Sequence, residues 1–295
     1  MVSVDRGRYR CLVGDREVTA MKARELGRGN IVVGDMVSLI GDVSGAPDTL
    51  ARVVRIAPRS SVLRRSPDDS DPVERAIVAN ADQLVIVCAL ADPPPRTGLI
   101  DRFLVAAYDA GLQPLLCLTK ADLASPAEIL AAYEPLGTPY LVTSRPLTSQ
   151  MLGELRGRLA GLVSVMVGHS GVGKSTLVNT LIPDADRAVG LVSPVTGRGR
   201  HTSSSAIALA LPGGGWIIDT PGLRSFGLGH IAPDRVVRAF PDLAEAVAQC
   251  PPGCSHLGAE CGLDDWVAEH GGAPLAARLA SLRRLLRSRE GVDAG

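Results

Sequence analysis

One octapeptide constrains the fold of this 295-residue chain more than any other feature: Gly168-His169-Ser170-Gly171-Val172-Gly173-Lys174-Ser175. It fits the spacing G-x-x-x-x-G-K-[ST], with the apolar run Val163-Ser-Val-Met-Val before it and the helix-forming run Thr176-Leu-Val-Asn-Thr-Leu after it. Such a loop works only between a strand and a helix. Its glycines let backbone N–H groups turn inward onto phosphate oxygens, and the helix N-terminus adds a favourable dipole. In this pattern Lys174 bridges the β- and γ-phosphates, Ser175 gives its hydroxyl to Mg²⁺, and Thr176 continues the phosphate-facing first turn. A glycine-rich surface turn, the plain alternative, leaves the flanking strand and helix unexplained.

Around this loop the chain divides by rhythm. Residues 1–66 carry short β-like pieces at Tyr9–Val13, Ile31–Val33, Met36–Ile40 and Ala51–Ile56, closely interrupted by Gly, Asp and Asn, the pattern of a small all-β barrel or sandwich. The polar, proline-bounded segment 64–72 has linker composition and sets the first boundary, closing a domain at 1–66. From residue 83 strand and helix alternate. Strand-like runs start at Gln83, Pro114, Tyr140, Val163, Ala206 and Trp216, and helical spacing fits 100–110, 126–134, 149–160 and 175–182. That alternation predicts a mainly parallel α/β sheet covered on both faces, in a domain spanning 67–229. Strands cease after residue 229, and 230–295 reads as a small helical domain.

Two further motifs tell the loop which nucleotide to hold. Asp219-Thr220-Pro221-Gly222 follows the apolar strand at Trp216; an aspartate at this strand end holds Mg²⁺, and the Gly222 N–H senses the γ-phosphate. Thr119-Lys120-Ala121-Asp122 ends the run 114–118. A carboxylate at position 122 can accept two hydrogen bonds, from the N1–H and the exocyclic amine of guanine, whereas adenine offers an acceptor at N1 and no amine at C2. The mismatch would bury unpaired polar groups, and that cost is what gives such a site its discrimination. The stem of Lys120 would cover one face of the base, and Thr143-Ser144-Arg145 stands where a base-contacting backbone loop is expected. Read alone, T-K-x-D is an ordinary charged turn at a strand end.

The order of these motifs is inverted. In familiar GTPases the base-reading motif follows the phosphate loop, yet here it comes first and nothing similar follows Asp219. A parallel sheet tolerates such a circular permutation, because chain ends lying close together at the surface can be joined, and new ends cut elsewhere, without disturbing the site.

Between the phosphate-loop helix and the next strand, residues 195–205 are rich in Gly and small hydroxyl residues. Such a segment could order around Mg²⁺ and the γ-phosphate, with Thr202, or Ser203 if the register slips by one, as the metal-sensing hydroxyl. A plain surface loop is the alternative. The position after D-x-x-G, often a water-orienting Gln, is Leu223, which cannot hydrogen-bond water. The role then passes to another residue, to the switch, or to a partner. His201 is the nearest candidate, because an imidazole can accept a proton or hold a water. Slow intrinsic turnover with partner stimulation is expected.

Cys250, Cys254, His256 and Cys261 present three thiolates and one imidazole within twelve positions, a complete tetrahedral set for one structural Zn²⁺ with no position left open for catalysis. Reduced free thiols are the alternative, but they would not need His256 among them. Cys11 stands alone, and Cys88 and Cys117 lie in strand-like runs, so a disulfide framework is not indicated.

Thr119–Asp122, Gly168–Ser175, Gly199-Arg-His-Thr-Ser, Asp219–Gly222 and the cysteine cluster together resemble the ribosome small-subunit-dependent GTPase A family (RsgA, also called YjeQ), over nearly the whole chain. The resemblance implies an OB-fold N-terminal domain, hydrolysis of GTP to GDP when bound to the small (30S) ribosomal subunit and its 16S rRNA, a part in late maturation of that subunit, and His201 in hydrolysis. The cluster departs from the family pattern, being one residue shorter between its first two cysteines and slightly shorter before its last.

The formal net charge is zero, so no global field draws the chain to nucleic acid and any attraction is local. Residues 1–66 hold twelve Arg and Lys against seven Asp and Glu. Arg6, Arg8, Arg10, Arg52, Arg55 and Arg59 in that domain, with Arg283, Arg284 and Arg287 in the tail, could clamp the phosphates of a large RNA, solvated basic faces being the alternative. Aromatic residues make up only 3% of the chain, so binding would rest on charge and RNA shape more than on stacking. No apolar run approaches the roughly 20 residues that span a bilayer, and the N-terminus lacks an apolar signal core. A cytoplasmic monomer without a membrane partner is expected. The competing readings are an ATP-using P-loop kinase or ATPase, which Asp122 argues against, and an RNA-binding module holding GTP with negligible turnover, which Leu223 keeps open.

Overall fold

The computed structural model describes residues 1–5, 7–27, 30–66, 74–183, 206–220, 226–228, 231–237, 240–258, 260–270 and 272–289. The N-terminal unit holds β1 (Ser3–Asp5), β2 (Arg8–Val13), β3 (Arg16–Lys22), β4 (Val37–Gly41) and β5 (Ala51–Ile56), paired in the order β1-β2-β3-β5-β4 with only the β3–β5 pair parallel. Its own small core is Cys11, Val18, Ala20, Ile31, Ala51 and Val53. β1 and β3 are absent from the sequence expectation. β3 reads as polar, Arg-Glu-Val-Thr-Ala-Met-Lys, yet Val18 and Ala20 alternate inward and Met21 outward, the period of a half-buried strand. Conversely, Ile31–Val33 is not a strand; Val33 makes one isolated bridge, to Val78. The cause is local. The Asp35 carboxylate accepts from the Val32 N–H at 2.8 Å and pairs with Arg59 Nε at 2.7 Å, so the segment turns back on a side chain.

The polar stretch expected as a linker begins inside a strand. Arg64 and Arg65 end β6 (Val62–Arg65), which pairs with β7 (Arg75–Ala79) in a separate two-stranded ribbon; residues 67–73 lie outside the described set.

The second unit is a doubly wound layer. Its elements run β8 (Gln83–Ala89), α1 (Thr97–Ala110), β9 (Gln113–Thr119), α2 (Ala127–Tyr133), β10 (Tyr140–Val142), α3 (Ser149–Leu159), β11 (Val163–Val167), α4 (Lys174–Leu181), β12 (Ile207–Ala210) and β13 (Trp216–Asp219). The strands order as β10-β9-β8-β11-β13-β12, all parallel except β12. Every residue of β8 is buried, because the strand is covered on both faces, and after Gln83 it is apolar throughout. Leu84, Ile86 and Cys88 join Phe103 and Leu104 of α1 on one face; Val85 and Val87 join Leu155 and Leu159 of α3 and Leu177 and Leu181 of α4 on the other. The chain winds outward from β8 toward β10 on the first face, then re-enters at β11 and winds the opposite way. The direction of winding therefore reverses between β8 and β11, and the carboxyl ends of the strands there form the crevice where open α/β sheets bind ligands. β12 also pairs with β1 (Ser3 with Ile207), so the two units share one continuous sheet.

From residue 231 the regular elements among the described residues are all helices: α5 (Pro233–Val237), α6 (Pro241–Ala244), α7 (Gly262–His270) and α8 (Ala273–Arg289), with a 3-10 turn at Glu245–Gln249. Leu279, Leu282, Leu285 and Leu286 of α8 are buried in the same apolar cluster as α1 and the sheet. The change of element type near residue 229 thus does not separate two cores.

Candidate nucleotide site and metal centre

The phosphate loop leaves β11 and enters α4 with Gly168, Gly171 and Gly173 at φ 150°, 83° and 99°. Gly168 is sterically required: a Cβ there would lie 2.3 Å from the Val87 carbonyl of the neighbouring strand. Val172 is buried among the side chains of α3 and α4 and anchors the loop, whereas His169, Ser170, Ser175 and Thr176 lie at or near the surface. The Lys174 ammonium donates to the carbonyls of Gly168 at 2.7 Å and His169 at 3.2 Å. Lys174 is buried, and that burial lowers its pKa, opposed by the charge of Asp219 at the end of β13. A buried cation beside inward-facing amides is suited to an anion of high charge density.

The Thr119–Asp122 motif closes on this loop. Thr119 Oγ1 donates to the Val172 carbonyl at 2.6 Å, tying the end of β9 to the phosphate loop. Lys120 adopts φ 61° and its ammonium donates to the Asp92 carbonyl. The Ala121 N–H donates to Thr143 at 3.0 Å, and the Arg145 N–H donates to Asp122 Oδ1 at 2.8 Å. Ser144 lines the same space. Thr119, Lys120, Ser144, Arg145, Gly173 and Thr176 line one small open cleft. The segments Thr119–Asp122, Thr143–Arg145 and the phosphate loop thus lie at the carboxyl ends of β9, β10 and β11, with β8 between β9 and β11. His201, Thr202 and Gly222 lie outside the described residues, as do Ser203 and Leu223. Of the Mg²⁺ candidates, Ser175 and Asp219 are described.

The Cys250, Cys254, His256 and Cys261 ligand atoms all lie within 4.8 Å of one another and could hold one metal ion. Cys250 Sγ is 3.6 Å from His256 Nδ1 and 3.8 Å from Cys261 Sγ. A tetrahedral Zn²⁺ with roughly 2.3 Å bonds to sulfur and 2.0–2.1 Å to nitrogen sets edges of about 3.6–3.8 Å, so the cluster fits that ion. His256 Nε2 lies 3.3 Å from Asp234 Oδ1, the carboxylate partner that orients a ligating imidazole. Asp234 sits 22 positions before His256, and no spacing rule would have found it. Cys88 and Cys117 are different in kind: burial pushes their thiols up to about 11 and about 12, which leaves them inert.

The tail arginines expected to meet RNA are corrected by their partners. Arg283 makes a bidentate pair with Asp264 at 2.7 and 2.6 Å and donates to the His256 carbonyl. Arg284 pairs with buried Asp101 of α1 at 3.0 Å, donates to the Ala132 carbonyl and stacks on Tyr133. Both guanidinium groups hold α8 to the body. Arg59 is likewise engaged by Asp35. Arg8, Arg52, Arg55 and Arg287 remain exposed, Arg10 is half-buried beside Glu17 at 3.6 Å, and Arg6 is outside the described residues.

A family model described as RsgA GTPase matches residues 56–229. The chain is 43% identical over 256 residues to a protein of Pseudomonas aeruginosa (strain LESB58) named Small ribosomal subunit biogenesis GTPase RsgA, covering 82% of this chain and 72% of that one. A protein of the same name from Azotobacter vinelandii is 41% identical over 251 residues, 80% of this chain and 69% of that one. Among solved structures, YjeQ from Thermotoga maritima superposes with a TM-score of 0.68 at 25% identity, over 99% of this chain and 98% of the other. YloQ, described as a circularly permuted GTPase, shares the fold with a TM-score of 0.66 at 23% identity, over 98% and 94%.

Proposed function

The chain belongs to the RsgA GTPase family, and from that premise we propose that it binds the small ribosomal subunit, hydrolyses GTP to GDP and phosphate with ribosome stimulation, and assists late maturation of that subunit. One observation carries the site assignment: the Thr119–Val172 hydrogen bond, which holds the guanine-reading turn against the phosphate loop around one cleft. Asp122 reads the base edge, Lys120 covers a face of it, and Ala121 and Ser144 shape the pocket. Gly168 to Gly173 cradle the phosphates, with Lys174, already out of water, meeting the β- and γ-oxygens. Mg²⁺ supplies charge neutralisation of the phosphates; Ser175, Asp219 and Thr202 would hold it. Gly222 reports the γ-phosphate and His201 orients the attacking water. Cys250, Cys254, His256 and Cys261 hold one structural Zn²⁺, supported by the Asp234 contact.

Three units, 1–66, 67–229 and 230–295, divide these tasks. The order β1-β2-β3-β5-β4 supports an OB-like barrel for the first. On its outer face Arg8, Met21, Arg52 and Ile40 occupy one cross-strand row, all exposed, a surface of alternating charge and apolar contact suited to the backbone of 16S rRNA. The protein acts as a cytoplasmic monomer.

GTP turnover with and without isolated small subunits tests this. Wild type should be slow alone and strongly stimulated by subunits. Lys174→Ala should lose nucleotide binding or turnover, and His201→Ala should bind nucleotide but lose stimulation. Equal stimulated turnover in His201→Ala would remove the histidine from hydrolysis, and negligible wild-type turnover with subunits would leave an RNA-binding module that merely holds GTP.

A further inference from the structure

Arg145 contributes two groups to the nucleotide cleft at two separate places. Its backbone N–H donates to Asp122 Oδ1 at 2.8 Å, and its guanidinium donates through Nη2 to Thr176 Oγ1 at 3.1 Å. Asp122 marks the base end of the site. Thr176 follows Ser175 in the first turn of α4 and marks the phosphate end. Between these points the Arg145 side chain lines the cleft, as do Lys120 and Gly173. A side chain running from base end to phosphate end lies along the length of a bound nucleoside, with its charge at the phosphate nearest the ribose.

We propose that Arg145 is a nucleotide-binding residue whose guanidinium takes the α-phosphate of a guanine nucleotide while its N–H holds the base-reading carboxylate in place; this rests on the guanine-nucleotide assignment above. The chemistry suits the task. A guanidinium is permanently charged and presents five donors in a rigid plane, so it can keep Thr176 Oγ1 and still offer an N–H edge to a phosphate oxygen. Lys174 sits at the other end of the phosphate chain. The amides of the first turn of α4 reach the α-phosphate with partial charge alone, so a formal charge beside them adds a charge-assisted hydrogen bond. Because GDP and GTP share the α-phosphate, the contribution must be the same for both.

The test is titration of fluorescent GDP and GTP analogues against the full chain, as wild type, Arg145→Ala, Arg145→Met and Arg145→Lys, with thermal melts to verify folding. Since Arg145 is exposed, all should fold. Ala and Met should each weaken GDP and GTP by the same factor, about tenfold, as expected for one hydrogen bond to a charged group. Lys should restore most of the affinity, and wild type should show the steeper salt dependence. Wild-type affinity in Arg145→Met would show that the apolar stem suffices and overturn the assignment. So would undiminished affinity in Arg145→Ala. Failure of wild type itself to bind GDP is a distinct result, which would remove the guanine-nucleotide assignment and this inference with it.

Discussion

At the scale of single residues, burial decides what each charge can do. Asp101 is buried in α1, and desolvation raises its carboxyl pKa despite the opposing charge of Arg284. Arg284 is partly exposed and keeps two further partners, the Ala132 carbonyl and the Tyr133 ring. The pair is therefore asymmetric. Removing the guanidinium strands a buried carboxylate, which costs about 3 kcal/mol, whereas Asp101→Asn leaves a partly exposed cation with other contacts and costs less, about 1 kcal/mol. Because the folded carboxyl pKa lies above its unfolded value, folding takes up a proton there; the penalty in Arg284→Met is greatest above the folded pKa and fades as pH falls through it. Urea melts of both variants at neutral and mildly acidic pH should show this ranking and convergence. An Asn variant less stable than the Met variant at neutral pH would show that the carboxylate is a net stabiliser.

The elements that carry chemistry were the most legible in the sequence, and the reason is physical. A phosphate loop needs glycines at particular positions, an apolar strand before it and a helix after it; each requirement is written in adjacent residues, and β11, the loop and α4 stand where the spacing put them. The N-terminal unit was read less well. Its strands β1 and β3 bury few apolar side chains, and the turn at Ile31–Val33 is set by Asp35 and by Arg59, 24 positions beyond it. Contacts made across such distances, including Thr119 to Val172, Arg145 to Thr176 and His256 to Asp234, leave no local trace. The tail arginines show the opposite failure: a helix rich in Arg reads as a solvated basic face until its partners on α1 and at Asp264 are known. The metal cluster belongs to this scale as well. It joins the loop after residue 249 to α5 and α7, and Arg283 ties its His256 carbonyl to α8. Chelation or Cys254→Ser should release one zinc per chain, measured by metal analysis, and lower the melting temperature by about 5–10 °C. A protein purified without zinc, with a melting temperature insensitive to chelator, would contradict a structural metal.

For the whole molecule, the permutation is invisible once the chain is folded. The sheet order β10-β9-β8-β11-β13-β12 places the ends of β10, β9 and β11 on one edge of the sheet, with only β8 between β9 and β11, whichever strand comes first in sequence. β12, the strand that follows residues 184–205, pairs with β1 of the N-terminal unit, so the nucleotide site and that unit are joined through one sheet. What the fold must deliver is convergence of Asp122 and Lys174 on opposite ends of one guanine nucleotide. The most direct measurement is the affinity of wild type and Asp122→Asn for GDP and for xanthosine diphosphate. Xanthine carries a carbonyl where guanine has its C2 amine, so an amide at position 122 can donate to it, while the carboxylate cannot. Wild type should prefer GDP and Asp122→Asn should prefer the xanthine nucleotide, each by about tenfold or more; an unchanged preference for GDP in the variant would mean that Asp122 does not face the base held by the phosphate loop.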